Sequence, residues 1–440
     1  MSYPQRERSY EMSEAHEPAA APRKTILQSL EIDTRMLGMI GAFLLVCIVF
    51  NILTDGRFLT PRNIFNLTIQ TVSVAIMATG MVFVIVTRHI DLSVGAILAA
   101  CSALMAMTQV RWLPELFEIG HWAIPWIAIG VGIFLGGLIG AFNGWLVGYQ
   151  GIPAFIVTLG GFLVWRNVGW YQTGGQTIGP LDKTFMTFGG INGTLGGTTS
   201  WVLGIIAVVV AVALIFKSRS TKTKHGFPVK PLWAEVSLAG ITSVSILGFI
   251  AILTNYAVPE RVVARDPSKY GCEVAEGCNA VYGLPISVLL LIAITGVMTV
   301  IAKRTRFGRY VFATGGNPDA AELSGINTRM LTVKIFALMG VLCAIAAVVA
   351  SSRLQNHSND LGTLDELRVI AAAVIGGTAL SGGIGTIYGA ILGALIMQSL
   401  QSGMAMVGVD APLQNIVVGG VLVVAVWLDI QYRKRTGAKQ

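Results

Sequence analysis

The sequence predicts an all-α polytopic integral membrane protein with ten to twelve transmembrane helices, some of them broken or re-entrant. Three observations carry that prediction. The 440 residues are 54% hydrophobic and 12% charged, against about 25% charged residues in soluble domains, and the mean hydropathy is +0.69. Apolar runs near the roughly 20 residues of a membrane span recur along the whole chain. Basic residues cluster in short stretches between those runs, as the positive-inside bias produces. The net charge of +8 is therefore a topological signal, and no nucleic-acid partner is expected.

The elements follow in order. Residues 1–35 are polar, mixed in charge and without an apolar stretch of the signal-peptide kind; a mobile cytoplasmic tail is expected. A membrane domain is expected over 36–430, followed by a basic cytoplasmic tail at 431–440. Twelve runs are assigned as spans: 36–54, 66–87, 92–110, 122–147, 152–165, 201–216, 236–258, 284–302, 331–350, 368–380, 386–400 and 412–428. The runs at 152–165 and 368–380 are short, so twelve crossings, or ten with a re-entrant pair, both fit. Lys217, Arg219, Lys222, Lys224 and Lys230 form an acid-free run expected in the cytoplasm, as do Lys303, Arg304, Arg306 and Arg309. The loop at 259–283 has three basic and four acidic residues and is expected outside. Cys272 and Cys278 lie in it and are able to pair in an oxidising compartment. Cys47, Cys101 and Cys343 lie in apolar runs as small hydrophobes.

Glycines divide into two kinds. Gly132, Gly136, Gly140 and Gly144 recur four apart, the spacing that lets membrane helices approach closely. Gly376, Gly377, Gly382, Gly383 and Gly385 crowd one short stretch. Each destabilises a helix by about 1 kcal/mol, so a break is expected there, tolerated at membrane depth only inside protein or beside a water-filled path.

Several function classes are excluded. There is no G-x-x-x-x-G-K-[ST] sequence for ATP, no H-E-x-x-H and no G-x-S-x-G. The five histidines are scattered. No enzyme activity, cofactor or metal site is expected. Among ionisable residues, Lys334 and Arg368 fall at or near run ends, Arg88 and Asp91 between runs, and Arg166 after one. Cation- and proton-coupled carriers need such groups inside the bundle, so the energy for transport is expected to come from elsewhere. Trp145, Trp165, Trp170 and Tyr171 suit either an interfacial aromatic belt or stacking against a ligand's ring.

Two motifs remain. In Thr87–Ala96 (TRHIDLSVGA), Asp91 is placed to cap the following helix by accepting from the N–H of Ser93 or Val94, and Arg88 ends the preceding helix, where a cation is favoured. A capped turn closed by an Arg88–Asp91 pair is one reading. A turn that also forms part of a translocation path or its gate is the other. In Arg304–Met330, Asn317 is placed to N-cap a short helix with Pro318 at its first position and Gly325 at its end. That helix is either a surface turn or a knob for a partner protein's cleft.

At these residues the chain resembles the permease subunits of bacterial sugar ABC importers of the ribose/xylose type. The carrying segments are Arg88-His89-Ile90-Asp91-Leu92-Ser93-Val94-Gly95, Phe307-Gly308-Arg309 through Ile326, and Ile375–Gly385. The D-xylose type is the nearest, from 152–178, the extra pair of spans around 218–281 and the ending from Ser399. The resemblance implies a subunit of the bacterial inner membrane, embedded in lipid, that pairs with a second permease copy. A periplasmic sugar-binding protein delivers a monosaccharide, and a separate ATP-binding subunit supplies the energy. It further implies an ATPase-coupling site within 303–330 at Gly308, Arg309, Gly315, Gly316, Asn317, Ala320, Ala321, Glu322, Leu323 and Gly325. A translocation path or gate is implied at Arg88, His89, Asp91, Ser93, Gly95, Gly376, Gly377, Gly382 and Gly383. The competing expectation is a major-facilitator-like secondary sugar carrier, from the twelve runs, the basic central loop and Arg304–Arg309.

Overall fold

In a computed structural model that describes residues 34–264, 267, 270, 272 and 278–435, the apolar runs become helices, and glycine, proline and polar clusters end them. The first half holds α1 (Thr34–Leu53), α2 (Pro61–Val86), α3 (Val94–Met107), α4 (Ala123–Gly148), α5 (Ala154–Thr173), α6 (Gly196–Lys224) and α7 (Leu232–Thr254). The second holds the one-turn α8 (Glu260–Val263), then α9 (Ile286–Arg304), α10 (Arg306–Gly316), α11 (Pro318–Leu323), α12 (Thr328–Leu354), α13 (Asp365–Ile375), α14 (Ile387–Met406) and α15 (Ala411–Arg435). Residues 1–33 and 436–440, most of the two expected tails, lie outside the described residues.

Among the described residues, nine helices are long and apolar enough to cross a membrane, counting α3 with its continuation to Glu115, and α15 adds a shorter apolar stretch at Ala411–Trp427. Of the two short runs, the one at 152–165 proves to be part of an unbroken 20-residue helix, α5. Arg166 made it look short. Its guanidinium points into the protein, donating to Asn359 O (2.9 Å) and to the Thr363 hydroxyl, so the helix runs on past it. The run at 368–380 is the broken one: α13 has 11 residues and stops at Ile375, before Gly376 and Gly377.

Passes that succeed one another along the chain alternate in direction, which gathers the basic loops at one end. There Lys303 lies over the Tyr388 ring and Arg219 pairs with Glu235 at 2.8 Å. At the other end Phe65, Tyr256 and Tyr282 pack ring against ring. The positive-inside rule makes the first end cytoplasmic. Near the outer end Cys272 and Cys278 form a disulfide, as an oxidising outer compartment permits. Maleimide added outside sealed vesicles is expected to label these two cysteines only after reduction; labelling without reductant would count against the pairing.

The buried centre is α2, α3 and α12, with α4 closing on α12. The glycines spaced four apart make that closure possible. A Cβ at Gly136 would overlap Gly340 O, and one at Gly140 would overlap Phe336 O. The two backbones touch, as small-residue stripes allow. The pair α6 and α7 lies at the periphery: Gly204 packs on Ile250, and Ile250 and Leu253 join α7 to the core, while Val209, Leu214, Ile241 and Val244 stay exposed.

Candidate functional site

The segment after α2 resolves into two levels. The helix closes with Arg88 N–H on Ile85 O (2.8 Å) and His89 N–H on Val84 O (3.1 Å), and Arg88 takes a left-handed φ of 65°. The chain then runs without helix to Ser93. Asp91, 1% exposed, accepts from Ser93 N–H (2.8 Å) and from the Ser93 hydroxyl (2.6 Å). Asn143 donates to Ser93 Oγ at 3.2 Å, and the His89 ring lies 6.0 Å from that of Phe336. Ser93 packs beside Gly161, seven residues into α5, hence about 10 Å inward from that helix's cytoplasmic end. Asp91 therefore accepts from Ser93 N–H as expected, deep in the protein, but it is not the N-cap: the helix starts at Val94, which leaves Ser93 in that position without a side-chain cap.

The expected Arg88–Asp91 pair is not formed. Arg88 turns away and donates from Nε to Gly315 O (3.0 Å) and from Nη2 to Gly316 O (2.9 Å). The pairing expectation rested on nearness in sequence. The left-handed turn aims Arg88 at the C-terminal carbonyls of α10, which have no intrahelical donors and carry the negative end of the helix dipole.

The cytoplasmic connection has the predicted caps. Asn317 Oδ1 accepts from Ala320 N–H at 3.0 Å, with Pro318 at the first position of α11, and Gly325 leaves the helix at φ 82°. Ala321 is buried, whereas Leu323 is 90% exposed. The preceding α10 is capped by Thr305, which accepts from Gly308 N–H (3.2 Å); Gly308 has no room for a side chain against Ile301 O and Ala302 O. Arg309 reaches only its neighbour Arg304 O, at 3.4 Å. The glycine stretch supplies left-handed bends at Gly377, Gly382 and Gly383, and Gly376 lies against Gly389 of α14. Gly383 N–H donates to Val86 O at 2.9 Å. Three motifs distant in sequence thus meet at the C-terminal ends of α2, α10 and α13.

A second feature was not foreseen. After α12 the chain turns back into the bundle over 355–364. His357 pairs by backbone with Ile178 (3.0 and 2.9 Å), and its Nδ1 lies 3.0 Å from Ser102 Oγ. Gly362, at φ 76°, then rests on Gly95 O. Ser102 and Gly95 lie seven residues apart on α3, so the chain descends about 10 Å before α13 completes the crossing. The descent opens a cavity of about 580 Å³, lined among others by Gln70, Arg353, Asp360, Asp365, Arg368 and Gln398. Asp365 and Arg368 pair at 2.9 Å, and Gln398 donates to Gln70 at 2.9 Å. The expectation that the bundle holds almost no ionisable groups is thereby corrected. Hydropathy assigned 351–367 to a connecting loop; the usable signal was a following run too short to cross unaided. The lining does not include any residue of 88–95 or 376–383.

Comparison with known proteins supplies the family. Residues 63–426 match the family described as "Branched-chain amino acid transport system / permease component". The chain belongs to this permease family. It is 36% identical over 405 residues to the xylose transport system permease protein XylH of Escherichia coli (strain K12), covering 92% of this chain and 94% of that one. XylH of Haemophilus influenzae is likewise 36% identical, over 92% and 98%. The ribose import permease protein RbsC of Bacillus subtilis (strain 168) is 30% identical over 390 residues, 89% of this chain and 91% of that one. No solved structure matches. The chain is thus a multi-pass permease of the bacterial inner membrane, of a family that works with an ATP-binding subunit and a substrate-binding protein. The major-facilitator alternative gains no support.

Proposed function

We propose that this permease carries a monosaccharide, D-xylose, into the cytoplasm as the membrane-spanning subunit of an ABC importer. The observation that carries the sugar is the 36% identity to xylose permeases over 92% of the chain. In this reading α11 is the knob that sits in the ATP-binding subunit, and the segments 88–95 and 376–383 form the inner gate. The cavity between α2, α13 and α14 is the outer half of the path, and a second permease copy completes it within the lipid. The cavity suits a neutral polyol. Two arginines and two aspartates balance in charge, and the glutamine amides offer both donors and acceptors to hydroxyls. Charges at this depth are tolerated because they face a wet cavity and one another.

The test is uptake of labelled D-xylose into proteoliposomes holding the permease, its ATP-binding subunit and a binding protein. ATP-dependent uptake supports the reading; uptake by the permease alone, without ATP, refutes it. In the same vesicles Gln398→Leu is expected to lower uptake about fivefold, the loss of one hydrogen bond of about 1 kcal/mol to a passing hydroxyl. Unchanged uptake would remove the cavity from the path.

A further inference from the structure

The contact between Arg88 and α10 has a geometry that path-lining does not require. Three backbones converge there with no space between them. A Cβ at Gly315 would overlap Val86 O, and one at Gly382 would run into Arg88 Cγ and Gly315 O, each 2.6 Å away. Gly383 N–H closes the third side on Val86 O. Arg88 then spans the junction, its planar fork on two successive carbonyls, Gly315 O and Gly316 O. It is held in a left-handed conformation that is unfavourable for a non-glycine residue, and that conformation aims the side chain at α10. The residue that follows those carbonyls is Asn317, the N-cap of α11. The residues that follow Arg88 run to the buried Asp91–Ser93 turn and α3, and those that follow Gly383 run into α14.

We infer that Arg88 is a positioning residue that ties α10–α11 to the inner ends of α2, α3 and α14, so that a displacement of α11 moves these helices together. This rests on the reading of the chain as an ATP-driven permease. A backbone-to-backbone junction has little slack, because packed interiors resist compression. The hydrogen bonds from one guanidinium hold α10 on it without filling any path. The fork is specific to arginine: a lysine keeps the charge but presents a point cation that does not bridge two carbonyls in fixed geometry.

The experiment measures D-xylose uptake and ATP hydrolysis together in proteoliposomes of the complete importer, for the wild type, Arg88→Ala and Arg88→Lys. ATP-dependent uptake by the wild type, measured first, tests the importer reading separately. ATP hydrolysed per sugar is expected to rise tenfold or more in Arg88→Ala and at least threefold in Arg88→Lys. A ratio equal to the wild type's overturns the inference, whether uptake stays normal or falls in proportion to hydrolysis, since a purely structural residue would lower both alike. If Arg88→Ala does not co-purify with the ATP-binding subunit, Arg88→Lys decides on the same criterion.

Discussion

Deletion of Asn317–Gly325 is expected to abolish ATP-driven sugar uptake while the chain still inserts and folds. The segment is a short knob: Asn317 caps it, Pro318 starts it, and Leu323 at its tip is 90% exposed. An apolar side chain so exposed on a capped turn contributes little to its own fold and leaves apolar area for a partner's cleft to bury. Replacing the segment with glycine and serine of equal length keeps α10 and α12 joined and separates loss of contact from loss of spacing. Uptake is expected at background in both variants, with membrane yield and gel-filtration profile unchanged. The single reversal Glu322→Arg, which disturbs charge complementarity at such a contact, is expected to reduce uptake by about tenfold or more. Normal transport by the deletion would show that α11 is a surface turn without a coupling role.

Gly140→Leu is expected to have the largest effect on stability. The β-carbon alone would overlap Phe336 O, a backbone atom in the middle of α12, so no rotamer change relieves it and α4 must move off α12. Overpacking costs about 1–3 kcal/mol where side chains are able to shift and more where they are not. A loss of about 3 kcal/mol or more is expected, read as a drop of about 5 °C or more in the temperature at which the solubilised protein loses its gel-filtration peak. Gly130→Ala on the same helix meets nothing within 4 Å and is expected to leave that temperature unchanged. Equal stability of Gly140→Leu and wild type would mean that the α4–α12 contact is looser than described.

Much of the fold was legible because its causes are local or periodic. The glycines four apart announced a close helix contact; the partner, α12, was not nameable. Asn317, Pro318 and Gly325 marked both ends of α11 because caps act within one turn. Asp91 was assigned its acceptor role on Ser93 for the same reason. Where charge entered over distance, reading along the chain went astray. Arg88 was given Asp91, three residues away, and found carbonyls more than two hundred residues away. Arg166 seemed to end a helix that in fact continues, because its partners Asn359 and Thr363 belong to the descending segment.

The sequence by itself determined the all-α class with many apolar helices, both ends of the short capped helix α11 and the place where α13 breaks. Hydropathy, the positive-inside bias and capping each depend on a residue and its near neighbours, so each is written along the chain. The tertiary structure alone decided that 355–364 descends inside the bundle, that charged residues gather there around a cavity, and that Arg88 binds α10. The physical reason is that hydropathy scores transfer of a side chain from water to lipid. A charged or glycine-rich segment lodged among other helices makes no such transfer, and its solvent is the protein around it.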